Sequence, residues 1–311
     1  MRSKISIVGV GNVGASCALW LAKRGIADLV LVDIALAKSM PAGKALDLLQ
    51  AGPIEGYNSR IRGNTDGSYE GTEKSDIVII TGGLPRKPGM SREDLVGANQ
   101  KVIVDVLDKA LPLSPDATYI VVTNPLDTMT YMAYKHSGLP RNRIIGQAGI
   151  LDSARMAAFV AQALDVSIEN VQTVVMGGHG DEMVPLTRYS TVFGRPLTEW
   201  LSPEALAGIV ERTRKGGGEI VNLLGTSAYY APGAALAKMA EAVLLDSKLI
   251  VPASTYLQGE YGLNDICFGV PVKLGANGVE QIIEYQLTAE EKAMAEKSVK
   301  IIRETMGALA L

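Results

Sequence analysis

The chain has 311 residues, 47% of them apolar and 20% charged, an ordinary balance for a soluble globular protein with room for two lobes. A formal net charge of −3 argues against nucleic acid as a partner, and no apolar window reaches the length of a transmembrane helix. The apolar stretch near the N-terminus is broken by Gly9, Gly11, Asn12 and Gly14, which is wrong for a secretory signal. Cys17 and Cys267 sit in apolar surroundings without metal-ligand spacing, so no metal is expected and both read as buried free thiols. A cytoplasmic location is expected, with no membrane partner.

The first half of the chain alternates short apolar runs with amphipathic stretches. Strands are expected over 5–8, 29–32, 77–80 and 119–122, and helices over 15–23, 44–49, 99–111 and 128–136. That alternation predicts an α/β fold, a doubly wound parallel sheet of the Rossmann kind built from right-handed βαβ units. Beyond residue 145 the pattern changes. A helix over 153–164 precedes strand-like segments at 171–176 and 183–192, then long helical patterns at 203–224 and 234–245. Strands near 266–274 and 279–283 and a final helix from residue 289 complete an α+β lobe. The expected division is therefore 1–145 for a nucleotide-binding domain and 146–311 for a substrate domain. Gly216-Gly217-Gly218 interrupts the 203–224 pattern, where each glycine costs about 1 kcal/mol relative to alanine. Either the helix kinks there or something packs too closely for a Cβ, a ligand pocket or another helix.

Gly9, Gly11 and Gly14 have the G-x-G-x-x-G spacing, which alone is a weak signal. Here the motif follows a strand, opens a helix and is succeeded by Asp33 at the end of the next strand. In that context the glycines allow a tight turn and let backbone N–H groups meet a pyrophosphate at the helix start. Asp33 would accept hydrogen bonds from the adenosine ribose and repel a 2′-phosphate, and Ile34 offers no compensating cation. NAD is expected rather than NADP, with FAD the lesser alternative.

The segment from Thr81 to Arg92 follows the 77–80 strand and carries Arg86, Lys87 and Arg92 among glycines and prolines, before a helix capped at Ser91. Cations outside a strand's carboxyl end point to an anionic ligand, although a solvated basic loop is the plainer reading. The chain has two histidines. His136 closes a helix, where a cation suits the dipole at the surface. His179 lies between glycines directly after an apolar run, where its imidazole has room to meet a ligand, and a satisfied structural histidine is the competing reading. A proton-carrying histidine gains from a carboxylate on its other ring nitrogen, and Asp152 is a candidate, as it is for a helix cap. Arg155 is an unhelpful charge for a first helical turn, which favours a function over a plain surface role. Nothing in the spacing brings Asp152 next to His179.

These segments occur in a familiar order. The fingerprint with Asp33, the Arg86/Arg92 loop, Thr123-Asn124-Pro125-Leu126-Asp127, Leu151-Asp152-Ser153-Ala154-Arg155 and Gly177-Gly178-His179-Gly180-Asp181 together resemble the lactate/malate dehydrogenase superfamily, on its lactate-dehydrogenase-like malate dehydrogenase branch. The likeness runs nearly end to end, through Gly262-Leu263-Asn264-Asp265 and Gly269-Val270-Pro271-Val272.

The resemblance implies reversible NAD-dependent oxidation of (S)-malate to oxaloacetate. His179 would be the proton acceptor, paired with Asp152. Arg155 would hold a substrate carboxylate, Arg92 would polarise the reacting carbonyl, and Asn124 would orient the substrate. Gly9, Gly11, Asn12, Val13, Gly14, Asp33, Asn99, Val122 and Asn124 would meet the cofactor. The family's pocket hydroxyl falls near Thr226 and Ser227, and the shortened local sequence leaves both open. Arg86 stands where lactate-specific relatives have glutamine, and a desolvated guanidinium there would need the distal carboxylate of malate. The alternatives are an L-lactate or broader 2-hydroxy-acid dehydrogenase and, in another class, a catalytically silent NAD-binding protein. A homo-oligomer, dimer or tetramer, is implied; the chain starts at its first strand, without the N-terminal arm of many tetrameric relatives.

Overall fold

The computed structural model describes residues 2–85 and 91–310, with Arg92 described by its backbone alone. The first half lays down six parallel strands: β1 (Lys4–Val8), β2 (Asp28–Val32), β3 (Ile61–Gly63), β4 (Ile77–Ile80), β5 (Thr118–Val121) and β6 (Ile144–Gly146). Their crossovers carry α1 (Asn12–Arg24), α2 (Met40–Glu55), α3 (Arg92–Ala110) and α4 (Leu126–Ser137). β1 pairs with β2 on one side and β4 on the other, so the winding direction reverses between β1 and β4. In sheets of this kind ligands bind in the crevice at that reversal.

The β4 run Ile77-Val78-Ile79-Ile80 is wholly buried because both sheet faces are covered. Ile77 and Ile79 join the core beneath α1, with Cys17 and Leu21, while Val78 and Ile80 join the one beneath α3 and α4, with Ile103, Leu107 and Met129. Each such side chain contributes about 1.5–3 kcal/mol of burial. Both cysteines are buried and free, and burial pushes each thiol well above its ordinary range.

The second half does not form a detached lobe. After α5 (Gly149–Leu164) come five short strands, β7 (Val171–Gln172), β8 (Val175–Met176), β9 (Val184–Pro185), β10 (Thr191–Val192) and β11 (Arg195–Pro196). The helices α6 (Pro203–Leu224) and α7 (Tyr230–Leu244) follow, then β12 (Leu249–Gln258), β13 (Asn264–Gly275), β14 (Gly278–Ile282) and α8 (Ala289–Met306). β12, β13 and β14 extend the parallel sheet antiparallel beyond β6, giving one nine-stranded sheet in the order β14-β13-β12-β6-β5-β4-β1-β2-β3.

Several expectations are corrected here. The three-residue strands β3 and β6 carry too few positions for periodicity to show. β12 is missed because Pro252, Ser254 and Thr255 interrupt its apolar pattern, yet all three are buried against neighbours. The single strands expected over 171–176 and 183–192 are broken. Val174 N–H donates to Ser190 Oγ at 3.1 Å instead of to a ladder, and the chain turns through Thr187–Tyr189. α3 begins at Arg92, after the cap expected at Ser91, and runs on without a break through the 99–111 stretch. Ser91 Oγ accepts the Asp94 N–H while the Asp94 carboxylate accepts the Ser91 N–H, a reciprocal cap that starts the helix.

Candidate active site

At the nucleotide end, Gly9 adopts φ +94°, and a Cβ there would overlap the backbone of Gly82. The turns after β1 and β4 thus touch, and Thr81 Oγ1 donates to Gly9 O. A Cβ on Gly14 would overlap Gly9 O, so α1 sits hard against the turn, whereas one on Gly11 would meet nothing within 4 Å. That is the shape a pyrophosphate needs: a tight turn, an open approach at the middle glycine and a helix start behind it. Asn12 begins α1 and is exposed, and Val13 lines the adjoining cavity. Asp33 Oδ2 accepts the Val10 N–H at 2.7 Å and Oδ1 accepts the Ile34 N–H at 2.8 Å. The carboxylate is thereby aimed into a 220 Å³ cavity walled by Gly9, Ile34, Tyr69 and Val102, with acceptor capacity left for a ribose. The residues fit a dinucleotide.

At the other end of the crevice, a 430 Å³ cavity is lined by His179, Arg155, Asn124, Asn99, Val122 and Ser227. Folding brings Asp152 to His179: Nδ1 lies 2.9 Å from Asp152 Oδ2. The Asp152 side chain is only 2% exposed, and its other oxygen accepts Arg155 Nη1 at 3.1 Å, one helical turn along α5. With Nδ1–H donated to Asp152, the neutral imidazole presents Nε2 as an acceptor. Burial disfavours the imidazolium, but the charge and hydrogen bond of Asp152 outweigh it; Arg155 opposes, Asp127 assists, and the His179 pKa ends above its ordinary value. Such a group can take a proton and hand it back near neutral pH.

Of the two explanations for Gly216-Gly217-Gly218, close packing is the right one. α6 runs unbroken from Pro203 to Leu224, and the Arg155 side chain lies against Gly216 and Gly217, while Gly218 faces open space. A Cβ on Gly216 would stand 3.3 Å from Arg155 Cδ, and one on Gly217 would stand 3.7 Å from Arg155 Nη2. Gly217 and Gly218 line the same cavity, so the missing side chains leave room both for the guanidinium and for a ligand beside it. Among the described residues Arg155 Nε has no hydrogen-bond partner.

Asn99 is fully buried and ties backbones together: Oδ1 accepts the Leu84 N–H, and Nδ2 donates to Leu84 O and Asn124 O. It lines the cavity while holding the start of the basic loop against Asn124. Ser227 lines the cavity and Thr226 does not, which separates the two hydroxyls. Arg86 and Lys87 lie outside the described residues, as does the Arg92 side chain. His136 stands apart in the last turn of α4, 2.7 Å from Asp108. Sequence reasoning did not single out Arg214, which reaches the same cavity from α6, or the contacts that fix the His179 backbone; these bridge elements far apart in the chain and leave no spacing signal.

Residues 3–146 match the family described as lactate/malate dehydrogenase, NAD binding domain, and residues 150–309 match lactate/malate dehydrogenase, alpha/beta C-terminal domain. A malate dehydrogenase of Roseiflexus sp. (strain RS-1) is 56% identical over 310 residues, covering 99% of each chain. The 1.55 Å structure of malate dehydrogenase from Salinibacter ruber superposes with a TM-score of 0.93 at 48% identity, over 98% of this chain and 97% of that one. A Cryptosporidium parvum lactate dehydrogenase, solved with lactic acid and nicotinamide adenine dinucleotide, superposes with a TM-score of 0.94 at 39% identity, over 99% and 98% of the two chains.

Proposed function

The chain belongs to the lactate/malate dehydrogenase family, and on that premise we propose that it catalyses reversible NAD-dependent oxidation of (S)-malate to oxaloacetate. The observation that carries the chemistry is the His179–Asp152–Arg155 cluster at the crevice where the glycine turn meets the loop after β4. NAD, when bound, supplies the hydride acceptor for C2 of malate. Gly9, Gly11 and Gly14 admit its pyrophosphate, Asp33 accepts from its ribose, and Val13, Asn99 and Val122 wall its path toward Asn124.

Neutral His179 takes the hydroxyl proton at Nε2, and Asp152 steadies the resulting imidazolium through Nδ1. In the reverse direction His179 gives that proton to the carbonyl oxygen. Arg155 forks onto the carboxylate next to the reacting carbon, and Asn124 orients the oxygen. Arg92 polarises the carbonyl and Arg86 pairs with the distal carboxylate; both roles follow the family resemblance. We assign residues 1–145 to the cofactor and 146–311 to the substrate, since Asp152, Arg155, His179 and Ser227 all come from the second part.

The discriminating experiment is a steady-state comparison of oxaloacetate with pyruvate, using NADH and NADPH. Preference for oxaloacetate with NADH is expected, and Arg86→Gln should reduce it by at least about 100-fold, since a site built to pair with a ligand group rejects a ligand lacking it by roughly 10⁴–10⁵. Preference for pyruvate in the unaltered enzyme would favour the lactate reading, to which the likeness to a lactate dehydrogenase lends weight.

A homo-oligomer is the proposed assembly. α1 packs against both α2 and α7, and across these helices Trp20, Leu46, Leu49, Ile54 and Tyr230 stand exposed. A second copy of the chain would cover this apolar face. Leu46→Glu with Ile54→Glu should shift the mass measured by light scattering toward that of one chain; an unchanged mass would reject this interface. The cytoplasm is the proposed compartment, on the strength of two buried unpaired thiols.

A further inference from the structure

Asp127 sits in the first turn of α4, is 5% exposed, and is absent from the roles assigned above. Its Oδ2 accepts the His179 backbone N–H at 2.9 Å and its Oδ1 accepts the Ser254 hydroxyl of β12 at 2.7 Å. Next along the chain, Gly178 N–H donates to Ser298 Oγ of α8 at 2.8 Å. The His179 turn is therefore pinned by α4, α8 and, through Asp152, α5.

A backbone N–H and a hydroxyl could be satisfied by asparagine, whose shape is nearly the same. A carboxylate buried here is costly unless its charge has a use. Both contacts are accepted hydrogen bonds, and the site lies at the positive start of a helix, which is how a buried carboxylate is kept ionised. Burial leaves the Asp127 pKa above its ordinary value, and the Ser254 and His179 bonds hold that rise down. Among the described residues the charged groups around the imidazole are Asp152 and Arg155 from α5, Asp127 from α4, Arg214 from α6, and Asp181 and Glu182 from its own turn.

We propose that Asp127 is a positioning residue for proton transfer: its carboxylate fixes the His179 backbone and adds a second negative charge near the imidazole, so that Asp152 and Asp127 together hold the imidazolium. This rests on His179 being the proton carrier. Asp127 touches neither substrate nor cofactor and acts through His179 alone.

The test is the pH dependence of kcat/KM for oxaloacetate reduction, with the His179 ring titration followed by NMR; the chain has only two histidines, so one variant assigns the signals. Reduction needs the protonated ring, so its rate falls as pH rises through the His179 pKa. Asp127→Asn keeps the His179 bond on its amide oxygen, turns the Ser254 bond round so that the amide N–H donates to the hydroxyl, and removes the charge. It should move the falling limb and the ring titration about half a unit or more to lower pH. It should also lower kcat about tenfold while changing KM little. An unmoved limb and ring titration would overturn the proposal.

Ser254→Ala withdraws one donor from the carboxylate and should move both readouts the same way by less. Should Asp127→Asn not fold, Ser254→Ala decides alone, and no movement there overturns the proposal. An equal shift in Ser298→Ala, which removes an uncharged tie, would overturn the argument from charge. His179→Asn tests the reading beneath: turnover without His179 would remove the proton carrier itself, whereas an inactive His179→Asn beside an unmoved Asp127→Asn would reject the role of Asp127 alone.

Discussion

At the cofactor end, Gly9, Gly11, Gly14 and Asp33 belong to one βαβ unit, and Asp33 is held by the N–H groups of Val10 and Ile34. At the catalytic end, His179 depends on Asp152 from α5, Asp127 from α4 and, through Gly178, Ser298 from α8. The first end is shaped by backbone permission, glycines that let a helix start meet a phosphate. The second is shaped by charge placement, two carboxylates and a guanidinium around one ring. Disturbing the first should alter which nucleotide binds and how tightly. Disturbing the second should alter turnover while leaving nucleotide binding intact.

His179→Asn is the strongest test of that separation. It should lower kcat by about 10³-fold while NADH still quenches or enhances fluorescence with a near-normal Kd. An equal loss of NADH affinity would mean the two ends are not independent. Arg155→Lys comes next, because a point charge cannot reproduce a fork. kcat/KM for oxaloacetate should fall about 100-fold, mainly through KM. A matching fall in NADH affinity would again break the contrast.

Asp33→Ser tests the cofactor end. Removing the anion should shift the NADH/NADPH preference roughly tenfold toward NADPH with the oxaloacetate pH profile unmoved. A moved profile would show that Asp33 reaches the chemistry.

The pH profile sharpens the catalytic side by itself. Because the His179 pKa is raised, oxaloacetate reduction should hold steady through mildly acidic pH and decline as pH passes the raised value. Malate oxidation, which needs the neutral ring, should rise over the same interval. Coincident limbs of opposite slope are the expected result.

The smallest effects lie in α6. Gly218 has no neighbour within 4 Å of a built Cβ, so Gly218→Ala should stabilise the helix by up to about 1 kcal/mol, read as a higher Tm. Gly216→Ala carries the same helix preference but presses on Arg155, so oxaloacetate KM should rise a few-fold while NADH binding stays unchanged. If the two variants behaved alike, Arg155 would not depend on the glycines.

The readable parts of this molecule are those in which cause and effect lie close in the chain. The buried run at Ile77–Ile80, the Pro203–Leu224 helix and the strand–turn–helix around Gly9 were all legible, because burial on two faces, helical period and glycine spacing act over a few residues. β12 was not, since its ten residues include Pro252, Ser254 and Thr255, whose place in a central strand is decided by β6 and β13 on either side. Asp152 and Arg155 could be named from one segment, and their resemblance to family motifs supplied roles. Their meeting with His179 could not be derived from spacing.

By itself, then, the sequence determined the fold class, the dinucleotide turn with its acidic partner, and the few side chains able to carry protons or bind an anion. Only the tertiary structure decided that Asp152 bonds Nδ1 of His179, that Ser227 rather than Thr226 walls the cavity, that Gly216 and Gly217 lie against Arg155, and that Asp127 holds the histidine from behind. The division has a physical reason: turns and helices answer to neighbouring residues, whereas a hydrogen bond between α4 and the His179 turn exists only once a nine-stranded sheet has brought them together.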